Sequence, residues 1–284
     1  MAPGTSPSVR FRRIGRTLRE LREEANRSLR TAGRDLDRSP SNLSMIENGL
    51  QPIRPRDLAQ ILDYYGVEEG PVRQSLLHLA EQGREKDWTR AFQGRVSLAA
   101  QDFASLERDS ARLRSFQPGR VPGLMQTEAY ARAVMAAAPP DTAQDEAGLV
   151  GFRMNRQRIL DNASPPRYEA VIGESALYQR VGSDAVMSAQ LSHLARQARR
   201  EHITVRVLPF SAGSIASYTG SFEILELDPP GRLMVVVVED LTRLSFREQD
   251  DEVNEYDGYF SHIWAAALDN GRSLTLIEEI ASRP

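Results

Sequence analysis

SLRTAGRDLDRSPSNLSMIENG, residues 28–49, is the stretch of this 284-residue chain that decides how its first part folds. Ser28 is a good side-chain cap for a helix from Leu29 to Leu36. Asp37-Arg38 makes the turn. Ser39-Pro40 starts a second helix: the serine caps it, and proline takes the first helical position, where its missing N–H costs nothing. Leu43 and Ile46 form the buried side of this helix, and Ser41, Asn42, Ser44 and Met45 the outward side. Asn48-Gly49 ends it, the glycine supplying a left-handed cap. Upstream, Phe11, Ile14, Leu18 and Leu21 recur at three- and four-residue steps among Arg and Glu over residues 10–24, which predicts an amphipathic helix.

Short polar residues on the outward side of the second helix suit a DNA major groove. Asn can bond adenine N6 and N7 together, Ser can bond a base edge or a phosphate, and Met can touch a thymine methyl. The helix N-terminus itself favours a phosphate. Periodicity alone fits a surface helix of an ordinary bundle equally well.

The segment resembles the helix-turn-helix of the phage-repressor-like Xre family, whose pattern ends Leu-Ser-x-Ile-Glu-x-Gly. Here those residues are Leu43, Ser44, Ile46, Glu47 and Gly49, and Leu62-Asp63-Tyr64-Tyr65-Gly66-Val67 matches the usual family ending. The resemblance implies that Ser39, Ser41, Asn42 and Met45 face DNA and that Ser44 and Asn48 hold phosphate. Ser28, Leu29, Arg30 and Arg38 complete the implied DNA-binding set. Arg22 and Glu47 are implied to form a structural ion pair, and Pro55, Leu58, Ile61, Leu62 and Tyr65 to close the small core. Three residues depart from the pattern. Asp37 stands where the turn usually has Gly, and Asp tolerates the left-handed region better than most residues. Gly33 replaces the usual Ala, at up to ~1 kcal/mol of helix propensity. Arg38 replaces a common apolar residue and is available to a phosphate.

Charge is divided along the chain. Residues 1–60 carry 12 arginines against 7 acidic residues, net +5, whereas the whole chain has 36 basic against 39 acidic residues, which leaves net −8 beyond residue 60. A basic head on an acidic body fits nucleic-acid contact through the head. There is no cysteine, hence no disulfide framework or thiolate metal site. No apolar run is long enough for a membrane span and no signal peptide is legible, so a cytoplasmic protein is expected.

Beyond the head, Pro71 to Arg84 reads as a helix and Phe116 to Thr127 as irregular, its two Pro and two Gly forbidding a continuous helix. Strands are expected at Tyr168–Ile172, Ile203–Leu208, Ser221–Leu227, Leu233–Val238 and Leu241–Arg247, and helices at 128–137, 145–160, 183–200, 248–268 and 274–281. The expected organisation is a disordered leader (1–9), an all-α helix-turn-helix domain (10–83), a helical linker (84–114), and an α+β domain with a largely antiparallel sheet (115–284).

Two further motifs carry a second resemblance. Ser115-Phe116 through Pro122-Gly123-Leu124-Met125-Gln126-Thr127-Glu128-Ala129-Tyr130-Ala131-Arg132, and Val207-Leu208-Pro209-Phe210-Ser211-Ala212-Gly213 with Gly220-Ser221-Phe222, are similar to the DUF5753 domain. Actinobacterial antitoxin-type regulators join that domain to an Xre head. The resemblance implies a transcriptional regulator, often encoded beside a small partner protein of the DUF397 type, and no known ligand.

Enzyme chemistry finds little support. Glu174, Glu239, Asp240, Asp250 and Asp251 offer carboxylates at or near strand ends, where Mg²⁺ sites occur, but solvated turn residues are the commoner case. His78, His193, His202 and His262 lack ligand spacing, no G-x-S-x-G occurs, and the loop from Gly213 to Gly220 has no Lys. No catalytic residue, metal or cofactor is therefore expected. A pocket or docking surface around Tyr178, Phe210, Tyr218 and Phe222 is the better candidate, with ordinary core aromatics as the alternative. The expectation is a homodimeric regulator, a repressor, of a near-palindromic double-stranded operator, with a C-terminal domain that senses a partner protein or small-molecule effector. The alternative is an antitoxin-type protein that binds a small partner and uses DNA binding for autoregulation.

Overall fold

The computed structural model describes residues 8–82, 88–137, 145–217, 219–227, 234–239 and 244–282. They fall into two compact units, one holding the described residues up to Trp88 and the other those from Thr89 onward.

The first unit is five helices: α1 (Val9–Glu24), α2 (Leu29–Asp35), α3 (Pro40–Glu47), α4 (Pro55–Tyr64) and α5 (Pro71–Gln82). Ile14, Leu18, Ala32, Leu36, Leu43, Ile46, Leu58, Ile61 and Leu62 form its core, the stripes the three- and four-residue steps select. Helix α1 begins at Val9, inside the expected leader, because Val9 and Arg10 are themselves buried. At Gly15 the backbone of α1 meets that of α3: a Cβ there would lie 2.5 Å from the Ile46 and Glu47 carbonyl oxygens.

The second unit is α+β. Its six strands are β1 (Ser110–Gln117), β2 (Arg167–Gly173), β3 (Ile203–Leu208), β4 (Phe222–Leu227), β5 (Met234–Glu239) and β6 (Leu244–Arg247), in the order β3-β2-β1-β4-β5-β6. The sheet is mostly antiparallel: β1·β4, β4·β5 and β5·β6 run antiparallel, while β1·β2 and β2·β3 are parallel. Length of connection accounts for the difference, since parallel neighbours need a crossover. Helices α7 (Glu128–Ala136) and α8 (Glu146–Gln157) intervene between β1 and β2. Helices α9 (Ser175–Tyr178) and α10 (Asp184–Gln197) intervene between β2 and β3.

On one face of the sheet Phe116, Val171, Phe222, Ile224 and Val236 pack with Val253, Phe260 and Ile263 of α11 (Asp250–Ala266). Edge strand β3 is covered by α12 (Asn270–Ala281) and the turn before it. Asn270 Oδ1 accepts from Val205 N–H (3.3 Å), Ser273 Oγ accepts from Val207 N–H (2.9 Å), and Leu268 N–H donates to the Val207 carbonyl (2.9 Å). These contacts consume edge groups that would otherwise template aggregation.

The expected helical linker, residues 84–114, is corrected in its described part. Helix α6 (Leu98–Arg108) buries Phe103, Ala104 and Leu106, and Ser110 already opens β1, the strand in contact with both β2 and β4. Its sequence, SARLRSFQ, shows no apolar alternation because its two arginines find partners across the fold: Arg112 bonds Glu169 and Arg114 bonds Asp257.

Candidate nucleic-acid interface

Two serine caps and one strained turn build the helix pair. Ser28 Oγ accepts from Thr31 N–H (3.0 Å) at the start of α2, and Ser39 Oγ accepts from Asn42 N–H (3.1 Å) at the start of α3. Between them Asp37 adopts φ 53°, the left-handed conformation, and Arg38 N–H donates to the Gly33 carbonyl (2.7 Å). Gly33 sits so close to this turn that a Cβ would lie 2.6 Å from the Arg38 carbonyl oxygen. Gly49, at φ 69°, ends α3, and a Cβ there would lie 2.8 Å from Arg12 N.

Ser28, Arg30, Ser39, Ser41, Met45 and Asn48 are exposed, while Leu29, Arg38, Asn42 and Ser44 are half-buried. Asn42 is held on both sides of its amide. Arg38 Nη1 donates to Oδ1 (3.3 Å), and Nδ2 donates to Gln51 Oε1 (2.9 Å). Asn48 is held likewise, accepting from Arg19 Nη2 (2.7 Å) and donating to the Ser44 carbonyl (2.7 Å). Gln51 and Arg19 were not singled out in the sequence. Gln51 lies in the loop after α3 with no periodic signal, and Arg19 is one of many arginines. Leu50, 61% exposed, and Met45, 41% exposed, add apolar surface beside these amides.

The arrangement rests on a buried ion pair. Arg22 Nε lies 2.7 Å from Glu47 Oε1 and Nη2 3.0 Å from Oε2, and both residues are buried. The bond to Glu47 outweighs burial and pushes the Arg22 guanidinium up. Burial, then the Glu47 charge, push the nearby Tyr65 phenol up to about 12. The pair ties α1 to α3, so the exposed face of α3 is presented by a rigid support rather than by a loop.

The candidate surface of the second unit is only partly assembled. Tyr178 and Phe210 are exposed and stacked, their centroids 6.3 Å apart at 27°. Glu174 Oε2 accepts from Phe210 N–H (2.7 Å), which holds the pair's backbone. Tyr218 lies outside the described residues. Phe222 is corrected: at 1% exposed it is core, in ring contact with Phe116, Tyr256, Tyr259 and Phe260, because alternation along β4 turns it toward α11.

Of the carboxylates weighed as metal ligands, Glu174 caps a backbone amide, Glu239 pairs with Arg120, and Asp250 and Asp251 occupy the first turn of α11. Asp240 lies outside the described residues. Among the described residues no group of three or more His, Asp or Glu is placed to hold a metal ion. His202 Nε2 meets the Leu160 carbonyl (3.1 Å), and burial lowers His193, with Arg196 adding to the effect. No described helix is long and apolar enough to cross a membrane.

Comparison with known families agrees with both units. Residues 13–76 match a helix-turn-helix domain, and residues 100–279 match a domain of unknown function, DUF5753. No curated protein and no solved structure matches the chain.

Proposed function

The chain belongs to the DUF5753 family and carries a DNA-binding helix-turn-helix domain, and we propose that it is a cytoplasmic transcriptional repressor acting as a homodimer on a near-palindromic operator. The observation that carries the reading is the exposed face of α3. Ser41 and Asn42 stand at a capped helix N-terminus, Met45 follows one turn later on the same face, Arg38 bonds Asn42, and Glu47 is withdrawn into a buried pair. One such head covers a half-site only, and two heads about one helical turn apart supply affinity and demand symmetry. Arginines at the edge of the head supply the salt-dependent, sequence-independent part of binding. The second unit, in this reading, dimerises and senses an effector or partner; no catalytic step is assigned to it.

The test is binding to the DNA upstream of the protein's own gene across a salt series, wild type beside Asn42→Ala. Removal of a bidentate base contact is expected to cost about 1–3 kcal/mol, roughly 5- to 150-fold, at the cognate site with little change on random DNA. Equal weakening on every sequence would reduce Asn42 to a backbone contact and sink the reading role.

The alternative is an antitoxin-type protein whose chief task is to bind a small partner of the DUF397 type. The exposed Tyr178–Phe210 stack favours it, since paired aromatics in solvent are typical of interface anchors. Co-purification of such a partner with the wild type but not with a Tyr178→Ala, Phe210→Ala double variant would establish it, and equal recovery with both would remove that surface from consideration.

A further inference from the structure

The face of the sheet opposite α11 is charged. Three glutamates and three arginines meet there: Glu107 on α6, Glu223 on β4, Glu239 on β5, Arg120 after β1, and Arg153 and Arg156 on α8. Two ion pairs are closed. Arg156 grips the fully buried Glu107 with two bonds (Nε–Oε2 2.7 Å, Nη2–Oε1 2.6 Å), and Arg120 pairs with Glu239. Arg153 and Glu223 are left over, and among the described residues neither has a counter-ion. Arg153 donates from Nη1 to the neutral Gln126 Oε1 (2.8 Å), while its Nε, shut off from solvent, has no partner. Glu223 is 8% exposed, and its Oε2 has no partner.

The remaining polar groups of this face are unsatisfied as well. Ser115 stands directly across from Glu223 in the β1·β4 register; its buried hydroxyl and that of Tyr168 have only each other near, short of good hydrogen-bond geometry, and Gln117 Oε1 has no partner among the described residues. Burial, then the charge of Glu107, push the Glu223 carboxyl up to about 8, against the pull of Arg156. Burial, then Arg156, lower Arg153 to about 10. A face needed only for packing would be more stable with apolar side chains, because unmatched buried charge and unpaired hydroxyls each oppose folding. Perturbed titratable groups gathered with unspent hydrogen-bonding capacity mark a site.

We propose that this layer is the effector site of the second unit and that its ligand is a small zwitterion of the α-amino-acid type, with its carboxylate on Arg153 and its ammonium on Glu223. A lone anion would leave the buried Glu223 carboxyl without a bonding partner, and a lone cation would leave Arg153 without a counter-ion; a molecule carrying both charges answers Arg153 directly and draws the proton from Glu223 to form the third pair. Ser115, Tyr168 and Gln117 supply the hydrogen bonds around it. The assignment deepens the regulator reading by giving its sensing domain a ligand, and it is tested without DNA.

The experiment is calorimetric titration of the full chain near pH 7 with the twenty standard α-amino acids, in two buffers of different ionisation enthalpy, with acetate and methylammonium as single-charge probes. At least one amino acid is expected to bind saturably and to release a substantial fraction of a proton per site, as Glu223 ionises against the ammonium. The single-charge probes are expected not to bind. Glu223→Gln is expected to abolish the proton release and weaken binding at least tenfold, and Arg153→Met to weaken it at least tenfold. Should either variant fail to fold, the N-acetyl and amide derivatives of the bound amino acid, each lacking one charge, decide the question on the wild type by binding at least tenfold more weakly. Failure of every amino acid to bind, or binding indifferent to these changes, would overturn the assignment. Intact amino-acid binding by a chain that ignores DNA would instead overturn the regulator reading and leave the site standing.

Discussion

At residue 33 a single methyl group decides whether the helix pair can close. The glycine costs helix propensity, which is all its sequence context reveals, but its neighbour in space is the Arg38 carbonyl, 2.6 Å from where a Cβ would sit. Gly33→Ala, which restores the commoner residue of the resembled family, is therefore expected to destabilise the head by about 1–3 kcal/mol through overpacking. Asp37→Gly is expected to do the opposite by about 0.5–1 kcal/mol. It relieves the left-handed strain of an L-residue at φ 53°, less the freedom glycine adds to the unfolded chain. Thermal melts of both variants check the pair, and an unchanged or raised melting temperature for Gly33→Ala would show that the turn can move away. Asn42 illustrates the same limit on local reading. Its place on the outward side of α3 follows from helical spacing, whereas its bond to Gln51 depends on how the next loop returns.

Single elements were legible where their signals are local. Capping serines and Pro40 marked both helix starts of the head because a cap involves residues only three apart. Strand β3 is legible within its observed bounds because apolar residues alternate with Thr204 and Arg206 along most of its length. Strand β1 was read as linker and irregular segment because its pattern is satisfied by partners 57 and 143 residues away, Glu169 and Asp257. Helix α12 shows how an element acts beyond itself: Ser273 Oγ accepts from Val207 N–H and donates to the Leu268 carbonyl. Ser273→Ala leaves a buried amide of the edge strand unpaired and is expected to cost about 1–3 kcal/mol. Urea denaturation measures it, and a loss near zero would mean that the strand edge relaxes onto another acceptor.

For the whole molecule, Glu223 links folding to pH. Its folded value of about 8 lies above the ordinary 4.5. Its contribution is therefore complete below pH 4.5 and is lost as the pH rises through 8. Stability is expected to decline between pH 5 and pH 8, and Glu223→Gln to flatten that decline; denaturant midpoints at several pH values show it, and equal slopes for both proteins would contradict it. The proposed dimer makes a separate demand at this scale. Inserting about half a helical turn of DNA between the half-sites puts the two heads on opposite faces and is expected to weaken binding at least tenfold, with partial recovery for a full turn. Gel-shift titration reads it, and indifference to spacing would argue for a monomeric reader.

From its sequence alone this protein's head was determined almost throughout: helix positions, caps, outward and inward faces, and the Arg22–Glu47 pair that a family resemblance implied. Those features depend on periodicity and on interactions within a few residues, or on a motif complete in one stretch. Only the tertiary structure decided which polar residues of the second unit share a buried face, that Phe222 belongs to the core, and that Arg153 and Glu223 have no counter-ion among the described residues. Side-chain pairing across tens of residues leaves no periodic trace, because strand order and the packing of α8 on α6, not local propensity, select the neighbours.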